Sequence, residues 1–368
     1  MTVNKRLGWV RLALRLLAVL ALVVVACLIL FPTGRYLLRA GWEEGKILAR
    51  RRPIAALAAD SASPAALRSK LELVLAARTY ARDALGLKTG QSFTTYSTLD
   101  RDTLVLVLSG AYRDRLKSYT WWFPVVGRVP YKGYFDFDEA RRQERDLAAR
   151  GFDVRLGGAS AFSTLGWFND PLLPTTLRAD SLTLANTVIH ELTHNTFYAP
   201  GGAVFNESFA NFVGSRGAER FFRSRGQNGS ADEVVARWKD ERLMSRFWAE
   251  LYGRVDSTFN AHPGDEPVHV AERISLRDSL YVEARQQLIH EVGPLLRTIS
   301  LRAVERVRLD NAVLMSRRVY LTDLDAFDAV LARNRGDLAR TITAIIAAAK
   351  SNKGDPFAAV RKLAAVPR

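Results

Sequence analysis

The chain has 368 residues, 48% hydrophobic and 25% charged, with a formal net charge of +15. That length and apolar content can bury a core, which excludes a disordered or fibrous chain, and the single cysteine, Cys27, excludes an intrachain disulfide framework. Ten Lys or Arg against two Glu in residues 1–52 hold more than half of the positive excess, and no basic run interleaved with aromatics follows, so no nucleic-acid partner is expected.

Leu16 to Phe31 is an unbroken apolar run of sixteen residues. As a helix it spans only about 24 Å, short of a hydrocarbon core of about 30 Å. Adding Trp9 to Leu14, with Arg11 and Arg15 snorkelling and Trp9, Tyr36 and Trp42 at the interfaces, gives a full crossing. The reading is an N-terminal membrane anchor over residues 1–34. Lys5, Arg6, Arg11 and Arg15 precede it, whereas Arg35, Arg39 and Lys46 after it are offset by Glu43 and Glu44, so the N-terminus is expected inside. This predicts a single-pass protein of a bacterial inner membrane with the remainder of the chain outside the cytoplasm. Val24-Val25-Ala26-Cys27 resembles a lipoprotein cleavage site, but Leu28 to Phe31 continue the apolar run, which favours the anchor.

Residues 35–59 read as a basic juxtamembrane helix broken at Arg50-Arg51-Arg52-Pro53. Ser63-Pro64 then opens a helix with Leu67, Leu71, Val74 and Leu85 at helical spacing and Gly86 as its stop. Strands are expected at Leu104 to Leu108, Tyr119 to Phe123, Arg128 to Phe135 and Phe152 to Leu156, from β-branched and aromatic content between Pro and Gly. Between the last two, Asp136 or Asp138 caps a helix that Gly151 ends. Ala159 to Phe168 is expected to form the edge of a cleft, where an extended peptide can add as a strand.

The chemistry is concentrated in Leu184 to Gly214, which contains His190-Glu191-Leu192-Thr193-His194. Two histidines four apart on a helix stand one turn above each other and can hold one metal ion, with a glutamate beside it to accept a proton from water. Asp180 supplies a cap, and Leu184, Ala185, Val188, Ile189 and Leu192 form an apolar arc opposite the histidines. Tyr198-Ala199-Pro200-Gly201-Gly202 must reverse the chain. Asn206 is expected to cap the next helix and Glu207 to open it, with its carboxylate directed back at the first helix.

His-Glu-x-x-His followed by Asn206-Glu207-Ser208-Phe209-Ala210 resembles the gluzincin metallopeptidases. More closely, the chain from about Arg50 to Arg223 resembles a family of bacterial putative aminopeptidases. That likeness rests on Arg51-Arg52-Pro53-Ile54, Trp122-Phe123-Pro124, Val129 to Phe135, Ser163 to Phe168 and Asp170-Pro171-Leu172-Leu173 as well as the zinc motif. The resemblance implies one Zn2+ ion held by His190, His194 and Glu207, with Glu191 as general base. Two departures stand out. Only twelve residues separate His194 from Glu207, and Asn211 occupies the position where thermolysin has an aspartate one turn after the glutamate ligand.

His290-Glu291 repeats the opening of the motif, but Pro294 takes the place of the second histidine; His262 and His269 flank a Pro-Gly loop. None of the three is expected to bind metal. After Gly229 the chain reads as helix, with breaks at the loop from Ala261 to Pro267, at Pro294 and at Gly336. Asn311, Arg318 and Tyr320 are three possible sources of an oxyanion-stabilising group downstream of the third ligand.

The fold class expected is α+β: a zincin-like core of mixed sheet and active-site helices over residues 60–228, a helical subdomain over 229–368, and the N-terminal transmembrane helix. The function expected is a zinc-dependent peptidase, an aminopeptidase by resemblance, acting on peptides or small proteins. The alternatives are an inactive scaffold that kept the fold, or a zinc amidase or esterase acting on envelope material.

Overall fold

In the computed structural model, the helical periodicities of the sequence are realised over most of the chain. The residues described are 9, 14–20, 22–23, 26, 29–99, 103, 105–123, 127–158 and 171–365. Helix α1 (Pro32–Ala49) leads into strand β1 (Arg52–Pro53), helix α2 (Ile54–Ala59) and helix α3 (Ala65–Asp83). Pro64 precedes α3, and Gly86 turns the chain beyond it at a φ of 70° that only glycine adopts freely. Leu71 and Val74 of α3 are fully buried.

Strands β2 (Thr95–Tyr96), β3 (Leu106–Ala111), β4 (Trp121–Phe123), β5 (Gly127–Val129), β6 (Tyr131–Tyr134) and β7 (Asp153–Gly158) follow, with α4 (Phe137–Ala149) between the last two. Pro130, with no donor for a ladder, separates β5 from β6 where one strand is expected from the sequence. Asp136 caps α4 by accepting from the amides of Asp138 and Glu139, each at 3.0 Å. The sheets are β6-β3-β7, β1-β2 and β4-β5, and every paired strand is antiparallel.

The remainder is helical: α5 (Pro174–Leu177), α6 (Ser181–Thr196), α7 (Ala203–Ser224), α8 (Asn228–Ala261), α9 (Pro267–Gln287), α10 (Leu301–Glu305), α11 (Asn311–Tyr320), α12 (Leu324–Arg333), α13 (Leu338–Ser351) and α14 (Pro356–Ala365). Before Pro294 can end α9, the chain loosens through a π turn, Leu288–Val292, into a 3₁₀ turn, Gly293–Leu295.

The expected α+β class is therefore corrected. The fold is mostly helical, 68%, with little sheet. The physical reason lies in the widths: sheets of two or three strands, two to six residues long, cannot supply a core layer. The largest apolar core is built instead by helices, with Phe205, Phe209, Phe212, Trp238 and Phe327 at its centre and contributions from Ile54 to Val360. A second core joins α8, α9 and α11 through Trp248, Leu251, Tyr281 and Leu314. The small sheet packs on α4 through Leu108, Tyr134, Leu147 and Val154.

The membrane anchor, and with it the single-pass inner-membrane placement, is also corrected: among the described residues no helix is long and apolar enough to cross a membrane. A crossing needs about 20 apolar residues. Helix α1, at 18 residues, carries Arg35, Arg39, Glu43, Glu44 and Lys46. It lies against the β region, where Tyr36 packs on Phe123 at 5.5 Å between ring centroids and the Ile47 carbonyl accepts from Ser97 Oγ. Cys27, Ala159 to Phe168 and Asp170 lie outside the described residues.

Candidate metal centre

Helix α6 begins at Asp180, whose carboxylate accepts from the Thr183 amide at 2.9 Å. Leu184, Ala185, Val188, Ile189 and Leu192 are all fully buried, and this fixes the rotation of the helix. The opposite side carries His190 and His194, whose Nε2 atoms lie 3.2 Å apart. After α6 the chain turns through Gly201, at a φ of 75°. Helix α7 starts at Ala203, three residues before the cap expected from the sequence, so Asn206 lies in its first turn. Its side-chain amide accepts from the Ala199 amide at 2.8 Å and donates to the Ala199 carbonyl at 2.9 Å. Both backbone groups of Ala199 are satisfied by this one side chain, which closes the short turn and leaves Glu207 facing α6.

Glu207 Oε2 stands 3.3 Å from His190 Nε2 and Glu207 Oε1 3.5 Å from His194 Nε2. His190, His194 and Glu207 form the one group of three among the described residues whose donor atoms could hold a metal ion. Their electrostatics are strongly coupled. Burial alone would raise the Glu207 pKa, but hydrogen bonds from His190 and His194 overcome it and hold the carboxylate down at about 2. Burial pulls the His194 pKa down, and the hydrogen bond and charge of Glu207 outweigh it, so His194 is raised above the ordinary imidazole value. These three side chains could hold a metal ion between them.

The two helices approach closely because of small residues on α7. A Cβ on Gly214 would sit 3.0 Å from the Asn186 carbonyl oxygen and 3.2 Å from His190 Cβ; one on Gly217 would meet Ile189 Cγ2 at 2.9 Å. Glycine here sets the distance between the ligand-bearing faces.

The C-terminal end of α11 closes another side. Ser208 Oγ donates to the Val319 carbonyl and accepts from the Thr322 amide, Asn211 Nδ2 donates to the Tyr320 carbonyl at 3.3 Å, and Ser245 Oγ donates to the Leu321 carbonyl. Four consecutive backbone positions are thus pinned next to Glu207. Tyr320 is 48% exposed, yet partial burial first, and then the charges of Glu207 and Glu191, push its hydroxyl up to about 12. It therefore remains a protonated donor within electrostatic reach of both glutamates.

The other two downstream candidates are elsewhere. Asn311 is fully buried, donates to the Tyr112 carbonyl at 2.7 Å and accepts from Tyr281 Oη at 2.6 Å. Arg318 stacks on Tyr252 at 3.6 Å. His262, His269 and His290 lie beside Glu272, Glu266 and Gln286, at 3.3, 3.1 and 3.1 Å, and do not join the centre.

One member was not foreseen. Asn211 Nδ2 also donates to Glu241 Oε2 of α8 at 3.0 Å, and burial pushes the Glu241 carboxyl up to about 7 against that hydrogen bond. The asparagine where an aspartate is usual in thermolysin thus bridges Glu241 to the Tyr320 backbone. Nothing in the local sequence links Glu241 to the motif, since its partner is 30 residues away on another helix.

The geometry is that of a mostly helical protein in which two imidazoles and one carboxylate on paired helices could hold a metal ion. Residues 35–357 match the family model described as Putative aminopeptidase, and the chain belongs to that family. Membership indicates a peptidase. No curated protein and no solved structure matches the chain.

Proposed function

We propose that this protein is a zinc-dependent aminopeptidase with a gluzincin-type ligand set, in which His190, His194 and Glu207 hold one zinc ion and Glu191 is the general base. The carrying observation is the triangle of donors. A tetrahedral zinc ion with bonds of about 2.0–2.1 Å separates its ligands by about 3.3–3.4 Å. The two Nε2 atoms are 3.2 Å apart, and each faces a different oxygen of the one carboxylate, His190 Nε2 with Glu207 Oε2 at 3.3 Å and His194 Nε2 with Oε1 at 3.5 Å, which is close to that spacing. The donor chemistry fits as well, since neutral imidazole and carboxylate are the ligands such a hydrolytic site takes.

Zinc, when bound, polarises a carbonyl and brings the pKa of a bound water towards about 7. The residues of the chain supply the rest. Glu191, adjacent to the first ligand, accepts the proton of the attacking water and delivers it to the leaving amine. Tyr320, protonated at neutral pH, donates to the carbonyl oxygen as charge develops on it. Family membership supports action on the amino-terminal residue.

The test combines metal analysis with hydrolysis of peptides carrying free and blocked amino termini. The parent should hold one zinc and cleave the free peptides. Glu191→Gln should keep the zinc and lose about 10²- to 10⁴-fold in rate. Glu207→Ala, left with two imidazoles, should lose zinc affinity by orders of magnitude. A Gln variant that turns over like the parent would remove Glu191 as base, and an Ala variant that holds zinc as tightly would remove Glu207 as ligand.

A further inference from the structure

A depression of about 400 Å³ opens between β7 and α11. Four guanidinium groups line it: Arg155 from β7, Arg306 and Arg308 after α10, and Arg317 from α11, against a single acid, Glu144. Arg308 is tied down, with Nε 2.6 Å from Asp310 Oδ2 and Nη1 donating to the Val154 carbonyl at 3.3 Å. Arg155, Arg306 and Arg317 have no carboxylate, carbonyl or ring partner among the described residues. Burial, and then the like charge of Arg155, hold the Arg317 pKa below the usual guanidinium range.

The treatment of other arginines in this protein makes the contrast clear. Arg216 pairs with Asp328, Arg273 with Asp114 and Arg277 with Asp153. A surplus of arginine explains scattered unpaired groups on a convex surface. Three exposed guanidinium groups share this one concavity, where like charge opposes their approach and an anion would relieve it.

The depression shares helix α11 with Tyr320. Tyr320 follows Arg317 by three residues on α11 and so lies on the same side of that helix. The Tyr320 hydroxyl feels the charges of Glu207 and Glu191, and that of Arg155 more weakly and in the opposite sense. Val154 and Val313 add apolar wall beside the charges.

We propose that this depression is a substrate subsite, in which Arg155, Arg306 and Arg317 receive a carboxylate of the peptide, so that the protein selects acidic substrates. The inference rests on the peptidase reading for the identity of the ligand, but its test does not depend on turnover. Tetrapeptides ending in glutamate or glutamine, each as free acid and as amide, are titrated calorimetrically into the full-length Glu191→Gln protein with zinc added, and into the same protein carrying Arg155→Gln and Arg317→Gln.

Each of these two substitutions removes a guanidinium able to make a charge-assisted, bidentate pair with a carboxylate. Binding should therefore be about 10- to 100-fold weaker in the arginine variant for peptides with a carboxylate, with little change for the uncharged amide. Added salt should weaken the first and not the second. Weaker binding on amidation assigns the C-terminal carboxylate, and weaker binding on exchange of glutamate for glutamine assigns the side chain. Equal binding of all four peptides, or binding unaltered by the arginine substitutions, overturns the subsite. So does capture of inorganic phosphate with no peptide bound. Failure of the parent to hydrolyse any peptide would instead sink the peptidase reading, while the arginine dependence of binding would still stand.

Discussion

Two helix junctions in this protein are held by different means. Where α6 meets α7, the contact is mostly apolar and glycine-spaced, with one hydrogen bond from Asn186 Nδ2 to Ser215 Oγ at 3.0 Å, and it carries the candidate ligands His190, His194 and Glu207. Where α9 meets the small sheet and α11, buried ion pairs add to the apolar core: Arg277, its side chain 3% exposed, lies 2.5 Å from Asp153, which also accepts from the Asn311 amide, and Arg273 reaches Asp114 and the carbonyls of His262 and Gly264. The comparison teaches a division of labour. Apolar packing fixes helix rotation and distance around the centre without adding charges that would compete for the cation. Directional ion pairs join elements of unlike geometry, helix to strand and loop, where no common ridge pattern exists.

The largest expected effect breaks the ionic junction. Arg277→Met leaves Asp153 buried without its main partner, a class of change that costs about 3–5 kcal/mol. Denaturant unfolding should show that loss, while zinc bound at saturation stays at one ion. Loss of metal together with stability would mean that the two junctions form one unit.

Next comes the apolar junction. Gly214→Ala gains about 1 kcal/mol of helix propensity but drives a methyl against the Asn186 backbone and His190 Cβ, and such overpacking costs about 1–3 kcal/mol. The net loss should be small, at about 0–2 kcal/mol, whereas zinc affinity should fall more than tenfold because the shift separates His190 from Glu207. Competition with a chromogenic chelator reads the affinity. Unchanged affinity would show that the helices can part elsewhere.

A pH-dependent effect concerns Glu241. A folded pKa near 7, above the usual carboxylate value, means that the unfolded chain releases its proton first as pH rises. Stability from this group is therefore full below about 4.5 and falls as pH climbs to 7. Glu241→Gln mimics the protonated form and keeps an acceptor for Asn211, so above pH 7 it should stabilise by about 2–3 kcal/mol and at pH 4.5 leave the melting point nearly unchanged. A pH-independent effect would place the ionised form in the folded state.

Much of the ligand site was legible because its parts are local. His190, Glu191, His194, the Asp180 cap and the apolar arc all lie within one helix, whose 3.6-residue period converts spacing into direction. The short β segments were legible as segments for the same reason, from β-branched and aromatic runs between turn residues. Their assembly was not: the expectation of one mixed sheet failed because strand content says nothing of how many strands a core can gather, and helices contributed most of the buried side chains. The expected anchor failed on a related point, since sixteen apolar residues fall short of a crossing and the extension through Arg11 and Arg15 was an addition to the pattern.

By itself, then, the sequence determined the chemistry within reach of one helix turn: which face of α6 is buried, which carries imidazoles, and that a glutamate follows across a turn. Only the tertiary structure decided that Asn206 closes that turn, that Asn311 and Arg318 are engaged elsewhere, that Glu241 meets Asn211, and that three arginines from distant segments line one hollow. Those relations join residues 7 to more than 150 positions apart. Backbone periodicity fixes direction only within an element, and the placement of one element against another is set by the sum of many side-chain contacts that no local pattern encodes.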